Sequence, residues 1–310
     1  MTNILVLGTG HIGSEIVFKF SGKNNVTCID HGKNFPQIQE KCPQVNLVKG
    51  DCFDYNLIKK YAKDIDTIFF CSGTGGVYDC MNEPAKFFES NVTKFQKLLK
   101  ILEEIKKFEF YLFSTNFVYA NILKITEESI LSPTTEYGKL RLKQEKILRN
   151  TNFEYTILRL SNIFGYGNFM NCGNLGAVEK FIQKGFSEHL ISLHGDGSQK
   201  LDLLYKEDLM SLLEILMKNK PERKTYNIST GNQLSISQVA EIIKKIIFKS
   251  FKIEIKIDKS NPDLKFPNAP LMSHNKITNE IGWQPNSDVS EKIENMIQEY
   301  GLGHKRYICH

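Results

Sequence analysis

"NILVLGTGHIGSEIV", residues 3–17, holds the glycines on which the fold turns. An apolar run reads as a strand, Gly8, Gly10 and Gly13 follow, and apolar residues then recur at helical spacing. Lacking Cβ atoms, the first two glycines permit a tight turn and let backbone N–H groups approach a pyrophosphate. The third lets the helix sit close to the sheet, and the helix N-terminus carries partial positive charge. A lone G-x-G-x-x-G is weak evidence; between a strand and a helix it predicts a dinucleotide site, the alternative being a glycine-rich turn. Gly8, Gly10, His11, Ile12 and Gly13 are the expected phosphate-loop contacts.

Asp30 closes the next strand, about 20 residues further on, where a carboxylate accepts hydrogen bonds from the adenosine ribose. A 2′-phosphate would meet that negative charge, so NAD is expected rather than NADP. Asp51 ends the third strand and either reaches the adenine edge or is a turn residue; Cys52 follows it. Cys71, Ser72 and Gly73, after the fourth strand, complete the expected cofactor wall.

Working outward, residues 3–8, 26–30, 45–51 and 66–73 are short apolar runs ending in Gly, Asp or Ser, as parallel strands buried on both faces do. Residues 83–107 repeat apolar side chains at helical spacing (Phe87, Phe88, Val92, Phe95, Leu98, Leu99, Leu102, Ile105) and predict one long helix. A strand at 108–114, a helix around 137–150 and a strand at 155–161 continue the alternation. The expected fold class is α/β, a Rossmann-type doubly wound parallel sheet with a smaller C-terminal substrate-binding lobe. Residues 1–165 form the dinucleotide-binding domain, with 201–230 returning to it; 166–200 and 231–310 form the second lobe. Within these, 162–174 is glycine- and asparagine-rich loop, and 261–270 is a proline-broken connector.

Composition narrows the function classes. The chain has 310 residues, 41% hydrophobic and 24% charged, as ordinary globular proteins do. No stretch approaches the roughly 18 apolar residues of a membrane helix. The opening residues lack the basic lead-in of a signal peptide. Seven cysteines lie scattered without C-x-x-C spacing, some in apolar runs (Cys28, Cys71), which reads as free thiols in a reducing, cytoplasmic setting rather than disulfides or zinc. A net charge of +5, with no basic stripe interleaved with aromatics, argues against nucleic acid and suits an anionic small molecule.

A series of further motifs appears in order: "KGDCFD" (49–54), "NEPAKFFESNV" (82–92), "STNFVYA" (114–120), "EYGKLRLKQEK" (136–146), "RLSNIFGYGN" (159–168), "GDGSQKLDLLYKEDL" (195–209), "YNISTGNQLSISQVAEII" (226–243) and "NEIGWQP" (279–285). Through them the chain resembles the extended short-chain dehydrogenase/reductase family, the NAD-dependent epimerase/dehydratase group acting on nucleotide sugars. The resemblance implies Thr115 as the hydroxyl that hydrogen-bonds the reacting sugar oxygen and Tyr137 as the proton carrier. It also implies Asn116, Asn162 and Asn174 as substrate contacts, turn-forming asparagine being the alternative for the last two. A homodimer built on a four-helix bundle is implied as well, with the helix of 83–107 a candidate.

Physical chemistry supports the tyrosine independently. A free phenol has a pKa of about 10, too high for a good base at neutral pH. A cation one helical turn away would stabilise the phenolate. The family's cation is lysine; here it is Arg141, which keeps the charge and adds donors but cannot release a proton.

Three other departures matter. Only Thr9 separates Gly8 from Gly10, where the family has two residues. Leu201 stands where the family often has an arginine that grips the substrate's diphosphate. Asn116 stands where its 4,6-dehydratases carry Asp-Glu, which argues against a dehydratase.

The expected function is an NAD-dependent oxidoreductase or epimerase at a secondary alcohol or ketone of a sugar, C4 of a nucleotide-linked hexose by resemblance. Leu201 tilts the reading toward a reductase or dehydrogenase over an epimerase. The alternative is an NAD-binding regulator or interaction protein on the same fold, with its chemistry weakened at Arg141.

Overall fold

The computed structural model describes residues 1–73, 75–165, 176–260 and 269–308. Seven strands form one sheet, numbered here in chain order: β1 (Asn3–Leu7), β2 (Asn25–Asp30), β3 (Asn46–Lys49), β4 (Thr67–Phe70), β5 (Glu109–Thr115), β6 (Glu154–Leu160) and β7 (Lys224–Ile228). Their spatial order is β3-β2-β1-β4-β5-β6-β7, and every pairing is parallel. The order reverses between β1 and β4, the switch point at which doubly wound sheets bind ligands.

Side-chain alternation along the strands explains the two covered faces. Ile4 and Val6 enter one core with Phe69, Tyr111, Phe113 and Leu158. Leu5 and Leu7 enter the opposite core with Ile68, Phe70, Phe110, Leu112 and Ile157. Successive strand residues point to opposite faces, so an uninterrupted apolar run fills both layers. Each such side chain contributes about 1.5–3 kcal/mol on burial. The helices His11–Phe20 and Lys206–Asn219 pack in the first layer; Lys94–Glu103 and the end of Glu136–Arg149 pack in the second.

A third core lies apart from the sheet. It joins the helices Ala177–Ser187, Ile236–Phe251 and Val289–Ile308 to Leu190–His194, which pairs with Lys256–Ser260. Residues 275–283, expected in this second lobe, pack on the first: the helix Asn275–Ile281 contacts β7, and Ile277 and Trp283 belong to the sheet's first core. Leu271–Met272 likewise pairs with Lys124–Ile125. An amphipathic period shows that a helix has a buried face, not which core receives it.

Two further expectations are corrected. The helix foreseen over 83–107 runs as Pro84–Phe88 and Lys94–Glu103, joined by a π-helical turn at Glu89–Thr93. The buried amide of Asn91 donates to the Phe87 carbonyl (3.0 Å), competing with the helical ladder where it widens. Asn162, expected in a loop, begins a short strand, Asn162–Phe164, paired in parallel with Leu203–Tyr205. Residues 261–268 of the proline-broken connector lie outside the described residues. Among the described residues no helix is long and apolar enough to cross a membrane.

Candidate functional site

The chain turns sharply after β1. Gly8 adopts φ +93°, and a Cβ there would come within 2.8 Å of the Ser72 nitrogen. A Cβ on Gly13 would overlap the Gly8 carbonyl oxygen. These two glycines are required by the protein's own packing. Gly10 differs: nothing lies within 4 Å of a Cβ built there, and it faces a cavity of about 800 Å³. Room beside the middle glycine, at a helix N-terminus, fits a dinucleotide's pyrophosphate.

Asp30 ends β2 on the same cavity and steadies the loop. Its carboxylate accepts the N–H of Thr9 at 2.8 Å and of Gly32 at 2.9 Å. His11, Ile12, Cys71, Ser72 and Gly73 also line the cavity. Asp51 and Cys52 are not among its lining residues. The Asp51 carboxylate accepts the Phe53 N–H (3.0 Å) and lies 3.4 Å from Lys94 Nζ, while the buried Cys52 thiol donates to Ser72 Oγ (3.1 Å). Burial pushes that thiol up to about 12.

Thr115, Tyr137 and Arg141 line the same cavity. Thr115 is the last residue of β5, paired in register with Leu160 of β6. Tyr137 arrives on the helix Glu136–Arg149, whose first turn is capped by the Thr135 hydroxyl accepting the Gly138 N–H at 3.0 Å. Gly138 brings that helix against β5's end, since a Cβ there would overlap the Phe117 carbonyl. The Arg141 guanidinium sits over the Tyr137 ring, donates to Gln144 Oε1 (3.0 Å), and packs where a Cβ on Gly73 would be. Among the described residues no carboxylate forms a salt bridge with Arg141, so its charge faces the cavity uncompensated by an anion.

A buried ion pair fixes this helix to the sheet. Glu145 binds Arg159 of β6 through two bonds, 3.0 Å from Nε and 2.6 Å from Nη2, and also accepts the Ser114 hydroxyl at 2.6 Å. Arg159 donates in turn to the Tyr119 hydroxyl (2.7 Å), which donates to Asn227 (2.6 Å). Arg159 is 2% exposed and Glu145 is fully buried, so the network acts without solvent between its members.

A second cavity of about 270 Å³ shares Thr115, Tyr137, Ser161, Gly176 and Glu179 with the first and adds Asn116, Asn162 and Leu201. Leu201 therefore lines the cavity, while Lys200 before it is exposed. Asn116 is buried; Thr115 Oγ1 donates to its side-chain oxygen at 3.2 Å. Asn174 lies outside the described residues. Glu179, which sequence reasoning missed, is buried at the start of the helix Ala177–Ser187, and burial pushes its carboxyl up. The Gly165 peptide is held at both ends: its N–H donates to Glu179 Oε1 (2.9 Å), and its carbonyl lies 3.0 Å from His11 Nε2. Burial lowers the basicity of that imidazole.

Comparison with known proteins follows this geometry. The model of the NAD dependent epimerase/dehydratase family matches residues 4–229. The UDP-glucose 4-epimerase of Lactobacillus helveticus is 23% identical over 332 aligned positions, covering 99% of this chain and 98% of the relative. The dTDP-D-glucose 4,6-dehydratase of Homo sapiens is 25% identical over 284, covering 86% and 78%. The solved UDP-glucose 4-epimerase of Thermotoga maritima, with UDP-glucose, superposes with a TM-score of 0.86 at 20% identity, over 97% of this chain and 99% of that one.

Proposed function

The chain belongs to the NAD-dependent epimerase/dehydratase family, and from that premise we propose that it epimerises, oxidises or reduces C4 of a nucleotide-linked hexose. The observation that carries this reading is the convergence of Thr115, Tyr137 and Arg141 on the cavity that Gly10 and Asp30 also line. NAD is the cofactor, and when bound it supplies a ring that exchanges hydride with the sugar carbon.

The protein's own residues take the remaining tasks. Gly10, His11 and Ile12 hold the pyrophosphate at the helix N-terminus, and Asp30 accepts from the ribose. Thr115 hydrogen-bonds the reacting oxygen, and Tyr137 moves the proton between that oxygen and its own. Arg141 supplies the positive charge that favours the phenolate, without serving as a proton donor. Asn116 and Asn162 contact the sugar from the smaller cavity, with Asn174 as a further proposed contact. Leu201 supports a diphosphate held by backbone and neutral side chains there rather than by a guanidinium. The regulator reading gains nothing from Arg141, because its charge remains beside Tyr137.

Assembly is proposed as a homodimer. Val77, Met81 and Phe88 support it: all three are exposed, and they lie on the successive helices Val77–Asn82 and Pro84–Phe88.

Denaturing freshly purified protein and identifying the released small molecules by mass spectrometry tests the reading. NAD or NADH together with a nucleotide sugar is the expected result. No dinucleotide released, and none bound on titration, would overturn it.

A further inference from the structure

Glu179 holds a buried carboxyl group of which only one oxygen is paired. The residue is 3% exposed. Its Oε1 accepts the Gly165 N–H, whereas its Oε2 has no hydrogen-bond partner. It lines both cavities, on the wall they share. Asn116 Nδ2 and Asn162 Oδ1, on lining residues of the smaller cavity, are likewise unpaired. Buried polar atoms are paired as a rule, because lost hydration must be replaced. Unpaired polar atoms gathered on the residues of one cavity point to a ligand that brings the partners.

The rest of that wall defines which ligand. Ile163, Phe164, Val178, Leu201 and Leu203 are apolar, and the described lining contains no lysine, arginine or histidine. A hydroxyl or amine entering it finds an acceptor in Glu179. A carboxylate entering it finds a second acid and, among the smaller cavity's described lining residues, no cation to pair with.

We infer that Glu179 sets sugar specificity, its free oxygen accepting a hydrogen bond from a ring hydroxyl or amine and its acidity excluding uronic acids. This rests on the reading above that the smaller cavity takes the sugar of a nucleotide sugar. Glu179 is a specificity residue, and its other oxygen ties down Gly165. Glu179→Gln separates these two tasks. The amide oxygen still accepts from Gly165, while an N–H₂ donor replaces the free acceptor.

The test is calorimetric titration of the NAD-loaded full chain, wild type and Glu179→Gln, with UDP-glucose, UDP-glucosamine and UDP-glucuronic acid. The wild type should bind UDP-glucose at least about tenfold more tightly than UDP-glucuronic acid. UDP-glucosamine binding more tightly than UDP-glucose would identify the amine as the donor; the reverse would identify the hydroxyl. In Glu179→Gln the preference against the uronate should shrink to within about threefold, with NAD affinity unchanged and the fold at least as stable as the wild type. The same discrimination in both proteins, or a wild-type preference for the uronate, would overturn the specificity role. Binding of NAD without any of the three sugars would instead remove the nucleotide-sugar reading, and this inference with it.

Discussion

Arg141 covers the ring of Tyr137, with its guanidinium carbon 5.2 Å from the ring centroid. The two lie one helical turn apart, and the same guanidinium packs against Gly73 beyond β4. A phenol so placed has its charge partner built in. Tyr137→Phe should therefore lower kcat by roughly 10²–10⁴-fold while NAD affinity stays within about twofold, because only the proposed proton carrier is removed. Arg141→Lys keeps the charge and should hold kcat within about tenfold, whereas Arg141→Met should lose about a hundredfold or more. NAD-linked turnover of a nucleotide sugar measures all three. Equal losses for Lys and Met would show that shape rather than charge matters at position 141.

The phosphate-loop glycines divide by what surrounds them. Gly13→Ala drives a methyl into the Gly8 carbonyl and should destabilise the fold by about 1–3 kcal/mol or more. Gly10→Ala meets nothing, so stability should stay within about 0.5 kcal/mol while NAD affinity falls. Urea melts and NAD titration of the two variants separate these effects. A stable Gly10→Ala protein with unimpaired NAD binding would place the pyrophosphate elsewhere.

Glu145→Gln tests the network beneath the site. It leaves the Arg159 guanidinium buried without its carboxylate, and removing one partner of such a pair costs about 3–5 kcal/mol. The midpoint of urea unfolding should fall with little change in slope. Because the same carboxylate ties the Tyr137 helix to β5 and β6, kcat should fall further than the Michaelis constant rises.

Stability should also respond to pH through Glu179. Burial raises its carboxyl above the ordinary 4.5, so the folded chain holds that proton more tightly than the unfolded chain. The stability this lends is fully present below pH 4.5 and is lost as pH rises through the folded value. Glu179→Gln should accordingly be the more stable protein at pH 7, with the difference shrinking as pH falls toward 4.5. Urea melts at stepped pH give the comparison. A difference that grows on acidification would mean the folded protein favours the anion.

The fold was legible because its signals are local. Strand runs ending in Gly, Asp or Ser, and a glycine loop between strand and helix, each report a constraint met within a few residues. That Thr115, Tyr137 and Arg141 would face one cavity was legible from their spacing within recognisable motifs. Glu179 was not, since a glutamate between Val178 and Lys180 at a helix start looks like a solvated residue, and its burial and its bond to Gly165 arise only in the folded chain. Arg159 and Glu145 each read as ordinary charges; their pairing needs β6 to lie beside the preceding helix. Gly138 did carry a signal. A glycine in the first turn of a helix, directly after the tyrosine, indicates close approach to another backbone.

All seven strands run the same way, and the cavity takes its residues from where they stop. Asp30 is the last residue of β2 and Thr115 of β5; Cys71, Ser72 and Gly73 follow β4, and Ser161 and Asn162 follow β6. Scaffold and tool tips are thus adjacent in the chain but separable in effect. New tips can be tried after β5 and β6 without resetting a register of the seven-stranded sheet. For an engineer this makes the protein a rack of interchangeable heads, on which substrate range can be rewritten a few residues at a time.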